Sequence, residues 1–382
     1  MNIKLVKDTI SNGEIDDLCK WLSTYPKLTK GLLTEEFEQK WSEWQGTKYS
    51  VFLNSGSSAN LAMLYALKIS NRLKNNKIIL PCVSWVTTIS PAIQFGMEPI
   101  LCDTDIETLG LDIECLEKLC KENNPACIML VHVLGIPNKL KEIKDICKKY
   151  DIILLEDSCE SVGSIIDNKK TGTFGLMSSF STYYGHHLST IEGGFVCTDD
   201  HELYEILKSI RSHGWSRDLS EKTKKNLQMN HDIDDFKNLY TFYYPGFNLR
   251  ATEVQAFLGI NQLKTVDTKN NKRYKNLLKY DELIENSYWK YKPSGFVSNF
   301  AYPIIHPLKS KLVESLIKAK IECRPLICGS MSRQPFYYKK YGFKMYPFSD
   351  IIHDYGLYLP NNPDMSENEI EYVANIVNEN IN

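Results

Sequence analysis

The sequence holds no C-x-x-C spacing, no internal repeat and no low-complexity tract. Nor does it hold an apolar run of the roughly eighteen residues that a membrane helix needs. Each absence excludes something. Without C-x-x-C pairs, the usual zinc and thioredoxin patterns are gone, and no metal is expected. The 11 cysteines lie mainly in apolar stretches such as PCVSW, ILCDTD and ACIML. A thiol there behaves as a small hydrophobe, so reduced cysteines in a cytoplasmic protein are the expectation. Residues 1–20 are polar and charged, which argues against a secretory signal. A formal net charge of -2 gives no electrostatic case for nucleic acid or an acidic membrane. Finally, no lysine lies between Lys170 and Lys208.

What is present is 382 residues, 43% hydrophobic, enough for one large core and a smaller lobe. From Lys77 to Val196 short apolar runs alternate with helical patterns: KIILP, PILCD, ACIMLVHV, DIILLED, SSFSTYY and GFVCT. LEKLCKENN and LKEIKDICKKY supply helices between them. That alternation predicts an α/β fold, a mainly parallel sheet covered by helices on both faces. Ligands bind such sheets where loops leave the carboxyl ends of the strands. Residues 218–240 are highly polar and read as an exposed excursion, followed by a helix from about Ala251 to Leu263. The remainder reads as a smaller α+β domain, with strands in NFAYPIIHP and KIECRPLI and a last helix capped by Ser366 and Glu369. The expected division is 1–264 and 265–382.

Several short stretches carry chemistry, each with two readings. NSGSSANLAMLYAL places Gly56, Ser57 and Ser58 at a helix start, which is either an anion site or an ordinary cap. ILLEDSCES ends an apolar strand with Asp157, which can pair with a pyridinium nitrogen or cap the next helix. Trp85 in CVSWVTT can stack on an aromatic ring or fill core.

Taken together, SGSSA, SWVTT, EDSCES, FSTYYGHHLSTIEGG and PGFNLR occur in an order and spacing that resembles the DegT/DnrJ/EryC1/StrS family of vitamin B6-dependent sugar-modifying enzymes. The match runs from LTKG at Leu28 to IECRP and implies a fold-type I aminotransferase-like architecture. It also implies pyridoxal 5′-phosphate or pyridoxamine 5′-phosphate as cofactor. On matching positions, Gly56, Ser57 and Ser181 would hold the cofactor phosphate. Trp85 would stack on the ring, Asp157 would meet its nitrogen, and Glu160 would lie near its 3-hydroxyl. Asn248 would reach the phosphate of a neighbouring subunit, so that a homodimer shares its sites.

In that family the stretch before EGG carries a lysine; here it carries His186 and His187. GHHLSTIEGG resembles the family's sugar 3-dehydratases, in which histidine takes the lysine's place. Lysine both holds the cofactor covalently and moves protons. Imidazole forms no stable imine but moves protons near neutral pH. His186 aligns with the lysine; a role for His187 stays open. The resemblance therefore implies a non-covalently held cofactor and dehydration in place of amination. It further implies a nucleotide-linked 4-keto-6-deoxy sugar as substrate, with GDP-4-keto-6-deoxy-D-mannose as the example, and L-glutamate as the amine donor. The setting would be dideoxysugar and O-antigen biosynthesis. His213 and Arg217 in SHGWSR contact substrate or simply pack at the surface. Arg324 clamps a carboxylate or phosphate, or joins an ion pair.

Three other readings compete. A reductive iron–sulfur route needs converging thiolates, including a C-x-C pair that this chain does not have. An aminotransferase working without a covalent lysine, or a cofactor-binding regulator, would share the pocket and differ in product.

Overall fold

Continuous apolar runs become the strands of a seven-stranded sheet in the computed structural model, which describes residues 2–381. These are β1 (Tyr49–Leu53), β2 (Lys77–Pro81), β3 (Glu98–Cys102), β4 (Cys127–Val131), β5 (Ile153–Asp157), β6 (Met177–Ser181) and β7 (Gly194–Thr198). Their order is β1-β7-β6-β5-β4-β2-β3. Strands β2 to β6 run parallel, and β7 is antiparallel to both β6 and β1. All five residues of β4, β6 and β7 are buried, as strands covered on two faces require. Strand β1 is not among the runs named from the sequence. It is a five-residue edge strand that precedes the alternating region.

One face packs on the helices Gly56–Ile69, Val86–Gln94 and His201–Arg211. The other packs on Ile113–Asn123 and Leu140–Tyr150, whose Leu140, Ile143, Ile146 and Cys147 form an apolar stripe at helical spacing. Cys102, Cys120 and Cys147 lie inside this second layer, Cys127 lies in the first, and every cysteine is unpaired. The polar 218–240 stretch forms the helices Glu221–His231 and Asp235–Asn238, neither with a buried residue.

A three-stranded antiparallel sheet follows: β8 (Tyr302–Ile305), β9 (Arg324–Pro325) and β10 (Gly356–Leu359), ordered β8-β10-β9. KIECRPLI gives only two strand residues, since Pro325 has no N–H for a longer ladder. The helices Val266–Leu283, Lys309–Lys318 and Glu367–Ile381 cover this sheet. The Ser366 hydroxyl and Glu369 carboxylate form the expected capping box. The start of the chain joins the same layer, with Ile3 bridged to Ile321. Among the described residues no helix is long and apolar enough to cross a membrane.

Candidate active site

The parallel strands deliver the motif residues to one edge of the sheet. Strand β5 ends on Asp157 and β6 ends on Ser181, while β1 leads into the helix that opens at Gly56. That helix is capped by Ser55, not Ser57: the Ser55 hydroxyl accepts from the Ser58 N–H at 3.0 Å. The N–H groups of Gly56 and Ser57 face no such cap, as the first donors of a helix do. A Cβ on Gly56 would sit 2.6 Å from the Ser181 Cβ, and one on Gly194 would sit 2.6 Å from the Gly56 nitrogen. Two glycines thus let Ser181 lie directly against the helix start. The result is a small cradle of N–H groups and hydroxyls at the positive end of a helix dipole.

Asp157 is buried, and three donors converge on it. Its Oδ2 accepts from Asn60 Nδ2 at 2.8 Å and from Thr88 Oγ1 at 2.9 Å. Its Oδ1 accepts from the Cys159 N–H at 3.1 Å. The carboxylate is fixed across the layer and caps no helix. Asn60 and Thr88 were not identified from the sequence; their signal was their place, one turn into each helix that follows a motif turn. Trp85 is 56% exposed, so it does not fill core.

The turn after Asp157 organises the proton-handling groups. His186 Nδ1 donates to the Cys159 carbonyl at 2.8 Å, so one residue holds Asp157 by its N–H and His186 by its C=O. With Nδ1 carrying the hydrogen, the neutral ring keeps its lone pair on Nε2. His186 is half-buried as a residue, with its ring largely surrounded by protein. That burial pushes its pKa down to about 4, partly opposed by the Cys159 carbonyl and Asp157. His186 is therefore a neutral base at physiological pH. Glu160 lies one residue further along. Burial raises its pKa to about 7, opposed by the Leu134 N–H, which donates to Oε2 at 2.7 Å.

His187 has different surroundings. It is fully buried, donates Nε2 to the Ser298 carbonyl at 2.7 Å, and leaves Nδ1 without a partner. Burial moves its pKa well below the usual range. It ties the turn to a distant segment.

The remaining predicted residues gather elsewhere. Asn248 is exposed and accepts from Arg250 Nε at 3.1 Å, while Arg250 approaches His213 at 3.5 Å. Arg217 is exposed, lies 4.0 Å over the Trp215 ring and donates to the Leu239 carbonyl. Arg217 and Arg250 line a cleft of about 590 Å³ with Lys27, Lys30 and Trp215. That lining includes none of Trp85, Asp157 and His186. Arg324 is exposed at the short strand β9, opposite Tyr358. Among the described residues no His, Cys, Asp and Glu cluster could hold a metal ion.

Comparisons with known proteins place the whole chain among similar ones. Residues 10–378 match the model of the DegT/DnrJ/EryC1/StrS aminotransferase family. The chain is 36% identical to GDP-4-keto-6-deoxy-D-mannose 3-dehydratase of Escherichia coli O55:H7, over 91% of this chain and 92% of that one. A solved structure of the E. coli GDP-4-keto-6-deoxy-D-mannose-3-dehydratase with bound hydrated PLP superposes with a TM-score of 0.90 at 34% identity, covering 99% of both chains. A second, of a GDP-4-keto-6-deoxymannose-3-dehydratase with a trapped PLP-glutamate geminal diamine, gives a TM-score of 0.89 at 33% identity. It covers 98% of this chain and 100% of the other.

Proposed function

The chain belongs to the DegT/DnrJ/EryC1/StrS aminotransferase family, and within it we propose a vitamin B6-dependent nucleotide-sugar 3-dehydratase. The enzyme removes the C3 hydroxyl of a 4-keto-6-deoxy sugar, with GDP-4-keto-6-deoxy-D-mannose as substrate and L-glutamate as amine donor. The carrying observation is His186, held by Cys159 with Nε2 free, where the family has a lysine.

The residues present fit the cofactor. The Gly56–Ser57–Ser181 cradle suits a phosphate, since a side chain on Gly56 would fill it. Asp157, pinned by Asn60 and Thr88, suits a pyridinium N–H, and the exposed indole of Trp85 suits the face of a ring. When bound, the cofactor supplies an amine that condenses with the sugar ketone and a conjugated ring that takes up electrons.

The protein supplies the proton movements and the positioning. His186 Nε2 takes a proton and later returns it to the departing C3 hydroxyl. Its depressed basicity makes the protonated ring a strong acid, which favours that return. The stretch between Lys170 and Lys208 holds no lysine that would bind the cofactor covalently or trap the sugar as an amine. Glu160, poised near neutrality, adjusts charge beside Asp157 as the electrons move. The exposed Asn248 suits a partner subunit's cofactor phosphate, and Lys27, Arg217 and Arg250 suit a nucleotide diphosphate in a cleft of mixed charge, where Glu35, Asp218 and Glu253 also lie and Lys30 is paired with the first two. This placement supports shared sites in a homodimer, and the reading also divides the chain at 264/265 into a large cofactor-binding part and a smaller one. His213 and Arg217 are assigned to contacts with the substrate or glutamate, and Arg324 to a carboxylate or phosphate.

His186→Asn keeps polarity but cannot shuttle protons, so dehydration should fall by about 10²–10⁴-fold with cofactor retention little changed. Near-normal turnover in that variant, or an equal loss only in His187→Asn, would remove His186 from its role.

A further inference from the structure

We propose that Phe300 is a positioning residue for His186: its ring, planted from a distant segment, covers the imidazole and keeps water from it, so that Nε2 remains a free base. This rests on the dehydratase reading for its purpose, though not for its test.

The geometry is specific. The Phe300 and His186 rings lie 5.2 Å apart, tilted by 42°. Phe300 also lies 6.1 Å from the His187 ring, so one phenyl group backs both histidines. Its backbone is tied on both sides. The Phe300 N–H donates to the Leu134 carbonyl at 2.9 Å, and its carbonyl accepts from Arg273 Nη1 at 2.9 Å. Arg273 is itself buried and reaches the Asn361 carbonyl with the same nitrogen. The neighbouring Asn299 donates to the same Leu134 carbonyl and accepts from Asn361. These hydrogen bonds, costly to leave unmade where they are buried, fix the backbone from which the ring projects toward the two histidines. Leu134 in turn holds Glu160, so one segment supports both proton-handling groups.

The groups facing His186 act in both directions. Asp157 and the Cys159 carbonyl favour the charged ring; Arg273 opposes it. Tyr183 lies 6.2 Å away edge-on, and buried His187 adjoins on the chain. Enclosure outweighs the rest, and Phe300 brings an apolar ring to 5.2 Å from the imidazole.

The test is a titration of ¹⁵N-histidine-labelled, cofactor-loaded protein by NMR, with His186→Asn used to assign the resonance, beside the pH dependence of turnover. Phe300→Ala should raise the His186 midpoint by about one unit or more, toward its ordinary value. The acid limb of the rate profile should move with it. Phe300→Tyr, which keeps the ring, should restore both. Phe300→Leu, which fills part of the space, should give a smaller shift in the same direction and serves if the alanine variant does not fold. An unmoved midpoint with an evenly lowered rate at every pH would overturn the proposal. So would a tyrosine variant that behaves like alanine. The titration needs no turnover, so failure of the dehydratase reading would leave this result legible.

Discussion

Two adjacent histidines, alike in the sequence, differ in which carbonyl each ring reaches. His186 spends Nδ1 on Cys159 and keeps Nε2; His187 spends Nε2 on Ser298 and buries Nδ1. Only the first presents a basic nitrogen where a lysine would have acted. Glu160 is the second unusual group, with a folded value near 7 against an ordinary carboxyl value of 4.5. Between those pH values the folded chain holds a proton that the unfolded chain has lost. Stability therefore falls as pH rises through that window and stays lower above it. The two histidines, with lowered values, act oppositely and cost stability as pH falls below 6.5. They are common to wild type and variant and cancel in a difference. Glu160→Gln keeps the acceptor for the Leu134 N–H and removes the slope. Its melting temperature relative to wild type, measured on cofactor-free protein, should rise from about pH 4.5 to 7 and then level off. A difference independent of pH would show that Glu160 is not a strained carboxyl.

At the scale of elements, the site is made by turns at one sheet edge. The helix start at Gly56 touches Ser181 at the end of β6 because neither Gly56 nor Gly194 carries a side chain. Gly56→Ala should force a shift costing about 1–3 kcal/mol. It should also weaken retention of pyridoxal phosphate, measured by equilibrium dialysis; unchanged retention would place the phosphate elsewhere. The parallel strands, their helices and the motif order were legible in the sequence, because buried strands read as continuous apolar runs and DIILLED places Asp157 at the end of one. The Asn60 and Thr88 contacts were not legible, since they depend on how two helices lie over β5. Neither was the role of His187, whose acceptor Ser298 lies 111 residues away. Trp85 was ambiguous for a similar reason: composition cannot tell an indole that fills a core from one left open beside it.

At the scale of the whole molecule, the predicted residues fall into two groups within one chain. Trp85, Asp157 and His186 belong to the sheet-edge turns; His213, Arg217, Asn248 and Arg250 form the other group, beside a cleft of mixed charge. A site built from the first group of one subunit and the second of its neighbour unites them. Mixing inactive Asn248→Ala and His186→Asn proteins should then restore part of the activity, because one hybrid site has both groups intact. No rescue despite demonstrated subunit exchange would mean that each chain works alone. The central claim, that a histidine in the lysine's place directs the enzyme to remove oxygen and not to install nitrogen, is tested most directly by the fate of the glutamate nitrogen. With GDP-4-keto-6-deoxy-D-mannose and L-glutamate, the account predicts ammonia and 2-oxoglutarate in equal amounts and a keto sugar lighter by one oxygen atom. An amino sugar that retains the nitrogen, with no ammonia released, would contradict it.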